Sequence, residues 1–296
     1  MVTYGNVDTL DVRSSGRGGH LTVGVEESAV ARAALAWAAR EAGSRDADLT
    51  ICHVPGDGTA DAATAGYVRD VRQHLAEHRI DLDVRTGDVA ASLLEQSHHS
   101  DLVVVGAASG DRASSRTASR VAAHAACPVA VVRPVDRCVV SPYRDHVVVG
   151  VDGSRTGRAA ARFAFAYADL HRLPVVAVHA DADASPKTWY DDRMLDSYFA
   201  PEPAPLRLVS AETAAAASRY PGVRLVRAVL GGPPADALKR ASAGAQALVV
   251  GRRGHRTPSA MRLGSTSAAC VVASAGVVVV VPLFGPVFPS SGYRSA

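Results

Sequence analysis

Between Gly251 and Thr266 the chain reads GRRGHRTPSAMRLGST, with glycines at 251, 254 and 264, four arginines, and the Ser265–Thr266 pair directly after the third glycine. Apolar ALVV precedes this stretch and small-residue SAACVVASAG follows it, so the segment joins a buried strand to a helix. Glycine at a strand end lets the chain turn sharply, with positive φ where needed, and lets a ligand approach the backbone. Successive amides in such a loop converge into a nest for an anion. A helix opening after Gly264 adds free N–H groups and the positive end of its dipole, and Ser265 and Thr266 add hydroxyl donors. The chemistry is that of a phosphate cradle. No Lys-Ser or Lys-Thr follows the glycines, so the segment is not a Walker loop. Nor does it lie at the first strand–helix turn, where the dinucleotide fingerprint belongs. The alternative reading is a glycine-rich surface loop with Ser265 as an ordinary N-cap.

Asp152 ends an earlier apolar run, in VDGS. A carboxylate there can accept hydrogen bonds from ribose hydroxyls, and an Asx-turn role is compatible with that. Ala180 follows His179 at the end of the next run and is placed to offer backbone groups to a base. Arg252, Arg253, His255, Arg256 and Arg262 either screen phosphate charge or are solvated loop charge. His53 and His179 suit the capping of backbone groups at strand ends better than a metal site, since spaced cysteines or carboxylates are lacking. His98 and His99 lack them too.

The elements that position these residues occur twice. HLTVGVEES (20–28) matches HVVVGVDGS (146–154), and each leads into an alanine-rich helical stretch. LTICHV (49–54) then matches PVVAVHA (174–180), DLVVVGAASG (101–110) matches ALVVGRRG (247–254), and CPVAVVRP (127–134) matches GVVVVVP (276–282). Matching residues lie 126 apart at Glu26/Asp152 and His53/His179, 145 apart at Gly106/Gly251, and 148 apart at Pro134/Pro282. The second copy therefore carries two insertions. One surrounds SPKTWYDDRMLDSYFAPEPAP; the other, of about three residues, falls inside the glycine segment. Trp189, Tyr190, Tyr198 and Phe199 of the longer insertion suit a lid, an inter-copy contact, a partner surface or core packing.

The apolar runs are Val-rich and continuous, as in strands buried on both faces of a parallel sheet, and they alternate with helices. The expected fold is α/β: two doubly wound domains, residues 18–136 and 144–283, each a roughly five-stranded parallel sheet flanked by helices. Ligands of such sheets bind beyond the carboxyl ends of the strands where strand order reverses, which directs attention to Asp152 and Gly251. A chain of 296 residues with net charge +3 and sparse aromatics argues against nucleic acid as a partner. No apolar run reaches the roughly 20 residues of a membrane span, and the first twenty residues lack a signal-peptide core. The four cysteines are far apart and read as buried or idle thiols of a reducing, cytoplasmic location.

On these residues the chain resembles a tandem universal stress protein, over about 18–134 and 144–282. In the nucleotide-binding branch of that family the fourth strand is followed by G-x-x-G-x9-G-[ST], and Gly251, Gly254, Gly264 and Ser265 match each defined position. Asp152 matches the family's nucleoside-contacting aspartate. The resemblance implies a Rossmann-like fold of the adenine nucleotide alpha hydrolase-like kind. It also implies ATP as ligand, with magnesium as an accompanying ion and AMP or ADP as alternatives. The implied site is Asp152, Ala180, Gly251, Gly254, Gly264, Ser265 and Thr266. The two copies are expected to pair through edge strands, with a homodimer and an unidentified protein partner as further assemblies. A non-catalytic role in stress adaptation or signalling is expected; a slow ATPase or phosphotransferase and a ligand-free structural module are the alternatives.

The first copy departs from this pattern. Ser109 stands where the second glycine belongs, Ser115 and Arg116 where glycine and serine belong, and Glu26 replaces the aspartate. Its nucleotide site is expected to be degenerate, with a different ligand, or phosphate held by Arg112, Arg116 or Ser115, as the alternative.

Overall fold

The structure is a computed structural model that describes residues 19–26, 28–54, 60–72, 75, 79–108, 112–134, 143–192, 202–254 and 263–283. Ser109, Cys138, Tyr198, Phe199, His255, Arg256 and Arg262 lie outside the described residues, as does the side chain of Arg112.

In the first half the strands are β1 (His20–Val25), β2 (Asp48–His53), β3 (Ile80–Val84), β4 (Leu102–Gly106) and β5 (Val129–Val132). Helices α1 (Ala29–Arg45), α2 (Ala60–Arg72), α3 (Val89–Gln96) and α4 (Arg112–His124) connect them. The second half has β6 (Val147–Gly150), β7 (Val175–Asp181), β8 (Trp189–Asp191), β9 (Leu225–Gly231), β10 (Ala247–Gly251) and β11 (Val277–Val281). Its helices are α5 (Arg155–His171), α6 (Ala204–Arg219), α7 (Pro234–Ser242) and α8 (Ser265–Ala273).

The local signals repeat with the sequence. Ser28 caps α1 by accepting from the Ala31 amide, and Ser154 caps α5 by accepting from Gly157. Both helices end on a left-handed residue, Asp46 at φ 54° and Arg172 at φ 55°. Where Asp88 caps α3 through the Ala91 amide, its counterpart α7 is opened by Pro233 and Pro234.

All eleven strands form one sheet, ordered β3-β2-β1-β4-β5-β11-β10-β6-β7-β9-β8. The sequence leads to two sheets of about five strands, paired through edge strands. The edges that meet are β5 and β11, antiparallel, with Val132 opposite Val277 and Val129 opposite Val280. The extra strand is β8, three residues of the longer insertion lying antiparallel on β9. Every other pairing is parallel. Two apolar layers cover the sheet, one under α1 and α5, the other under α4, α7 and α8. Burying continuous valine runs on both faces accounts for the absence of alternation in the strands.

Sheet register refines the size of the second insertion. Val132 lies opposite Gly106 and Val281 opposite Gly251, so the last strands match at 149 residues, one more than at the closing prolines. Arg133 is the residue that separates strand from proline in the first half.

The aromatic part of the longer insertion is an anchor. Trp189 Nε1 donates to Tyr143 Oη at 3.1 Å, and Tyr143 in turn donates to the fully buried Asp191 at 2.9 Å. The seam between halves carries a second polar cluster. Glu41 and Arg45 of α1 form a buried ion pair, and His171 of α5 bonds Glu41 at 2.9 Å. Tyr167 meets His171 at a tilt of 43°, with ring centroids 4.3 Å apart.

Candidate functional site

β6 lies at the point where strand order reverses, with β7 on one side and β10 on the other. Asp152 leaves the end of β6 and is exposed; Gly251 ends β10, and half-buried Ala180 lies near the end of β7 opposite Leu230. The sheet therefore aligns the three along one edge. At the far end of the glycine segment Gly264 is the N-cap of α8.

The glycines are required by close approach. Among the described residues the positive-φ glycines are others, Gly153 at φ 81° being the one beside the site. A sharp left-handed turn is needed after Asp152, and Gly153 supplies it. At Gly251 a Cβ would stand 2.7 Å from the Thr156 carbonyl carbon, because the first turn of α5 presses on the strand end. At Gly254 a Cβ would stand 2.5 Å from Asp152 Oδ2. At Gly264 it would meet the Arg253 Cα at 3.3 Å. The Asp152 carboxylate and the two ends of the glycine segment thus converge on one small space.

Their positions are fixed by a set of bonds that spacing alone did not indicate. Asp152 Oδ1 accepts from the Ser154 amide at 3.0 Å, which leaves Oδ2 facing Gly254. Thr156 donates its hydroxyl to the Arg253 carbonyl, tying the loop to α5. Gly264 N donates to the Arg252 carbonyl at 2.9 Å, closing the two loop ends on each other. Ser267 donates to the Gly251 carbonyl at 2.6 Å. The one available signal for Thr156 was a hydroxyl in the first helical turn where the first copy has Val30.

The start of α8 differs from the alternative drawn from sequence. Gly264, not Ser265, is the N-cap, and among the described residues no side chain caps this turn. Ser265 is exposed and Thr266 half-buried in that first turn. An uncapped helix start with two hydroxyls presents donors and a positive dipole end to the space beside Gly254.

Arg252 has neither of the roles considered for it. Its guanidinium crosses the seam and donates to the Ala125 carbonyl at the end of α4, in the first half. Burial, and then Arg253 beside it, lower its pKa to about 10. A cation on the last carbonyls of a helix complements the dipole there. One wall of the second half's site is therefore braced against the first half.

In the first half the corresponding space is differently filled. Ser114 accepts from the Ala108 amide at 3.1 Å, and α4 already begins at Arg112, so Ser115 lies within the helix and not before it. Tyr67 of α2 donates to the Glu26 carbonyl at 3.0 Å and meets the His53 ring edge-on at 5.8 Å. His53 and His179 each place Nδ1 3.1 Å from the carbonyl that ends the neighbouring first strand, Val25 and Val151 respectively. Burial pushes the thiols of Cys52 and Cys127 up to about 12 and that of Cys270 up to about 11. No helix among the described residues is long and apolar enough to cross a membrane.

Known proteins resemble this chain along most of its length. The sequence model of the universal stress protein family matches residues 19–133 and again 144–282. A universal stress protein of Mycobacterium tuberculosis is 29% identical over 272 residues, covering 83% of this chain and 90% of that one. Another from the same organism is 31% identical over 296 residues, covering 88% and 96%. Among solved structures, a universal stress protein from Archaeoglobus fulgidus aligns over 90% of this chain and 97% of its own, with a TM-score of 0.59 at 16% identity. With both stretches matched and relatives spanning nearly their full length, the chain belongs to the universal stress protein family.

Proposed function

We propose that the second half binds an adenine nucleotide, with ATP as the principal ligand, and that the protein acts in stress adaptation as a nucleotide-responsive binding protein, not as an enzyme. The observation that carries this reading is the convergence of Asp152 Oδ2 on Gly254, where a Cβ would stand 2.5 Å from the carboxylate. Asp152 holds the ribose hydroxyls, and Ala180, one strand further, offers backbone groups to the base. Gly251, Gly254 and Gly264 leave room for phosphate against the backbone, and Ser265, Thr266 and the start of α8 donate to its oxygens. Magnesium would neutralise the phosphates; residues 251–266 contain no Asp or Glu to hold it or to orient an attacking water. This favours binding over turnover. Ser114 and Tyr67 favour a first half that does not take the same ligand.

The test is what the purified protein carries. Denaturing it should release an adenine nucleotide, and Asp152→Ala should retain about tenfold to a hundredfold less, the equivalent of one charge-assisted hydrogen bond. Gly254→Ala should act through the same carboxylate, displacing it with little change in the unfolding midpoint. Unchanged nucleotide content in both variants would overturn the site; magnesium-dependent multiple turnover would overturn the binding-only role.

Thr156→Val restores the residue type of the first copy and removes the tie to Arg253. Nucleotide affinity measured by calorimetry should fall several-fold, about the value of one net hydrogen bond, with the fold unchanged by circular dichroism.

A further inference from the structure

The seam places an arginine at each end, and the two differ in their partners. Arg252 reaches the Ala125 carbonyl at the end of α4. Arg133 follows β5 at the opposite end and is 3% exposed, and Nε, Nη1 and Nη2 are all buried without a hydrogen-bond partner among the described residues. Its backbone amide donates to the Gly276 carbonyl at 3.0 Å, across the β5–β11 junction. Two residues before Gly276 stands Ser274, the C-cap of α8, which is also 3% exposed; its hydroxyl meets the Cys270 side chain and has no nitrogen or oxygen partner among the described residues.

Three further observations define the neighbourhood. Val129 and Val131 of β5 face the layer under α4 and α8, whereas Ala130 and Val132 face the other. Strand alternation therefore places Arg133 on the α4–α8 side. The N-terminus of α4 lies at this same end, since α4 follows β4, whose last residue Gly106 pairs with Val132. The first turn of α4 contains no acidic residue, so its dipole is uncompensated from within the helix. Burial holds the Arg133 pKa below the usual arginine range.

A guanidinium stays protonated in proteins, and a buried charge without a partner costs several kcal/mol. Water can satisfy its N–H groups but not its charge. The donors that strand register brings to this end of the seam are a planar five-donor fork, a serine hydroxyl and a helix N-terminus, all suited to an anion with several oxygens. We propose that the seam between the halves binds one small tetrahedral oxyanion, of the phosphate or sulfate class, on Arg133 and Ser274. The anion would join β5 and the end of α8 across the two halves, separately from the nucleotide site.

The test is phosphate binding by the full chain at constant ionic strength, balanced with chloride. The wild-type unfolding midpoint should rise saturably by a few degrees with inorganic phosphate. Arg133→Met should lose that rise and be at least as stable as wild type in chloride alone, because it removes an uncompensated charge. Ser274→Ala should weaken the apparent phosphate affinity several-fold. Parallel responses in wild type and Arg133→Met, or an Arg133→Met chain less stable in chloride, would overturn the proposal. Equilibrium dialysis of wild type with labelled phosphate, in excess ATP, should count one remaining site even if Arg133→Met fails to fold. A count of zero would sink the seam site while leaving the nucleotide reading intact. Phosphate bound without ATP but displaced by it would instead belong to the glycine cradle.

Discussion

Gly264→Asp is expected to abolish nucleotide retention, lowering affinity at least about a hundredfold, while the protein remains folded. Gly264 is the N-cap of α8 and is buried against the other end of its own loop, with the Arg253 Cα 3.3 Å from where a Cβ would stand. The side chain of aspartate adds a negative charge where phosphate is to lie. Like charges brought together at a binding site cost several kcal/mol, and 1.4 kcal/mol is tenfold in affinity. Aspartate is also a good N-cap, so helix stability should not fall with binding. Gly264→Ala separates the two effects: it asks the loop to give by a few tenths of an ångström without charge, and should cost less than the aspartate. Calorimetric titration with ATP on both variants, beside circular dichroism, checks the order. Equal affinities for wild type and Gly264→Asp would remove the cradle from the site.

The largest effect on stability is expected at Glu41. Its carboxylate is 2% exposed between Arg45 on its own helix and His171 on α5. Glu41→Leu leaves the Arg45 guanidinium buried without its counter-ion, and breaking a buried pair in this way costs about 3–5 kcal/mol. The unfolding midpoint should fall by on the order of 10 °C. Replacing both, Glu41→Leu with Arg45→Met, should recover most of the loss, since an apolar pair of similar volume avoids both desolvation penalties. The pH dependence follows from the direction of the shift. Burial alone would raise the Glu41 pKa, but Arg45 and the bond to His171 more than offset it and leave it lowered. A carboxylate lowered in the folded state stabilises above its unfolded pKa, and that contribution is lost as pH falls through the folded value. Acid unfolding should therefore begin at higher pH in wild type than in the double variant, relative to each protein's neutral-pH midpoint. Identical acid profiles would show that Glu41 is not the group being titrated.

The repeat, the doubly wound parallel character of each half and the position of Asp152 beside Gly251 were legible because each rests on local pattern. Valine runs, serine caps and the shared 126-residue offset need no knowledge of distant contacts. What could not be read depends on residues far apart in sequence. Nothing near Arg252 indicates that it will meet Ala125, 127 residues away, instead of solvent or phosphate. The reason for Gly251 was likewise hidden: the turn after a strand suggested positive φ, whereas the pressure comes from Thr156 on another element. β8 is three residues long within an aromatic insertion, too short for periodicity to reveal. Nor does anything local to Tyr67 indicate that α2 carries its hydroxyl to the Glu26 carbonyl.

The β5–β11 junction has a consequence for how the protein responds to its own abundance. Where two halves meet on one polypeptide, their association is unimolecular, and a short connection holds them at an effective concentration on the order of millimolar. Residues 133–146 are the whole connection between the joined half-sheets. The eleven-stranded sheet should therefore stay whole at dilutions where two separate chains would part, and the site braced by Arg252 should be equally complete in a cell making very little of the protein and in one making a great deal.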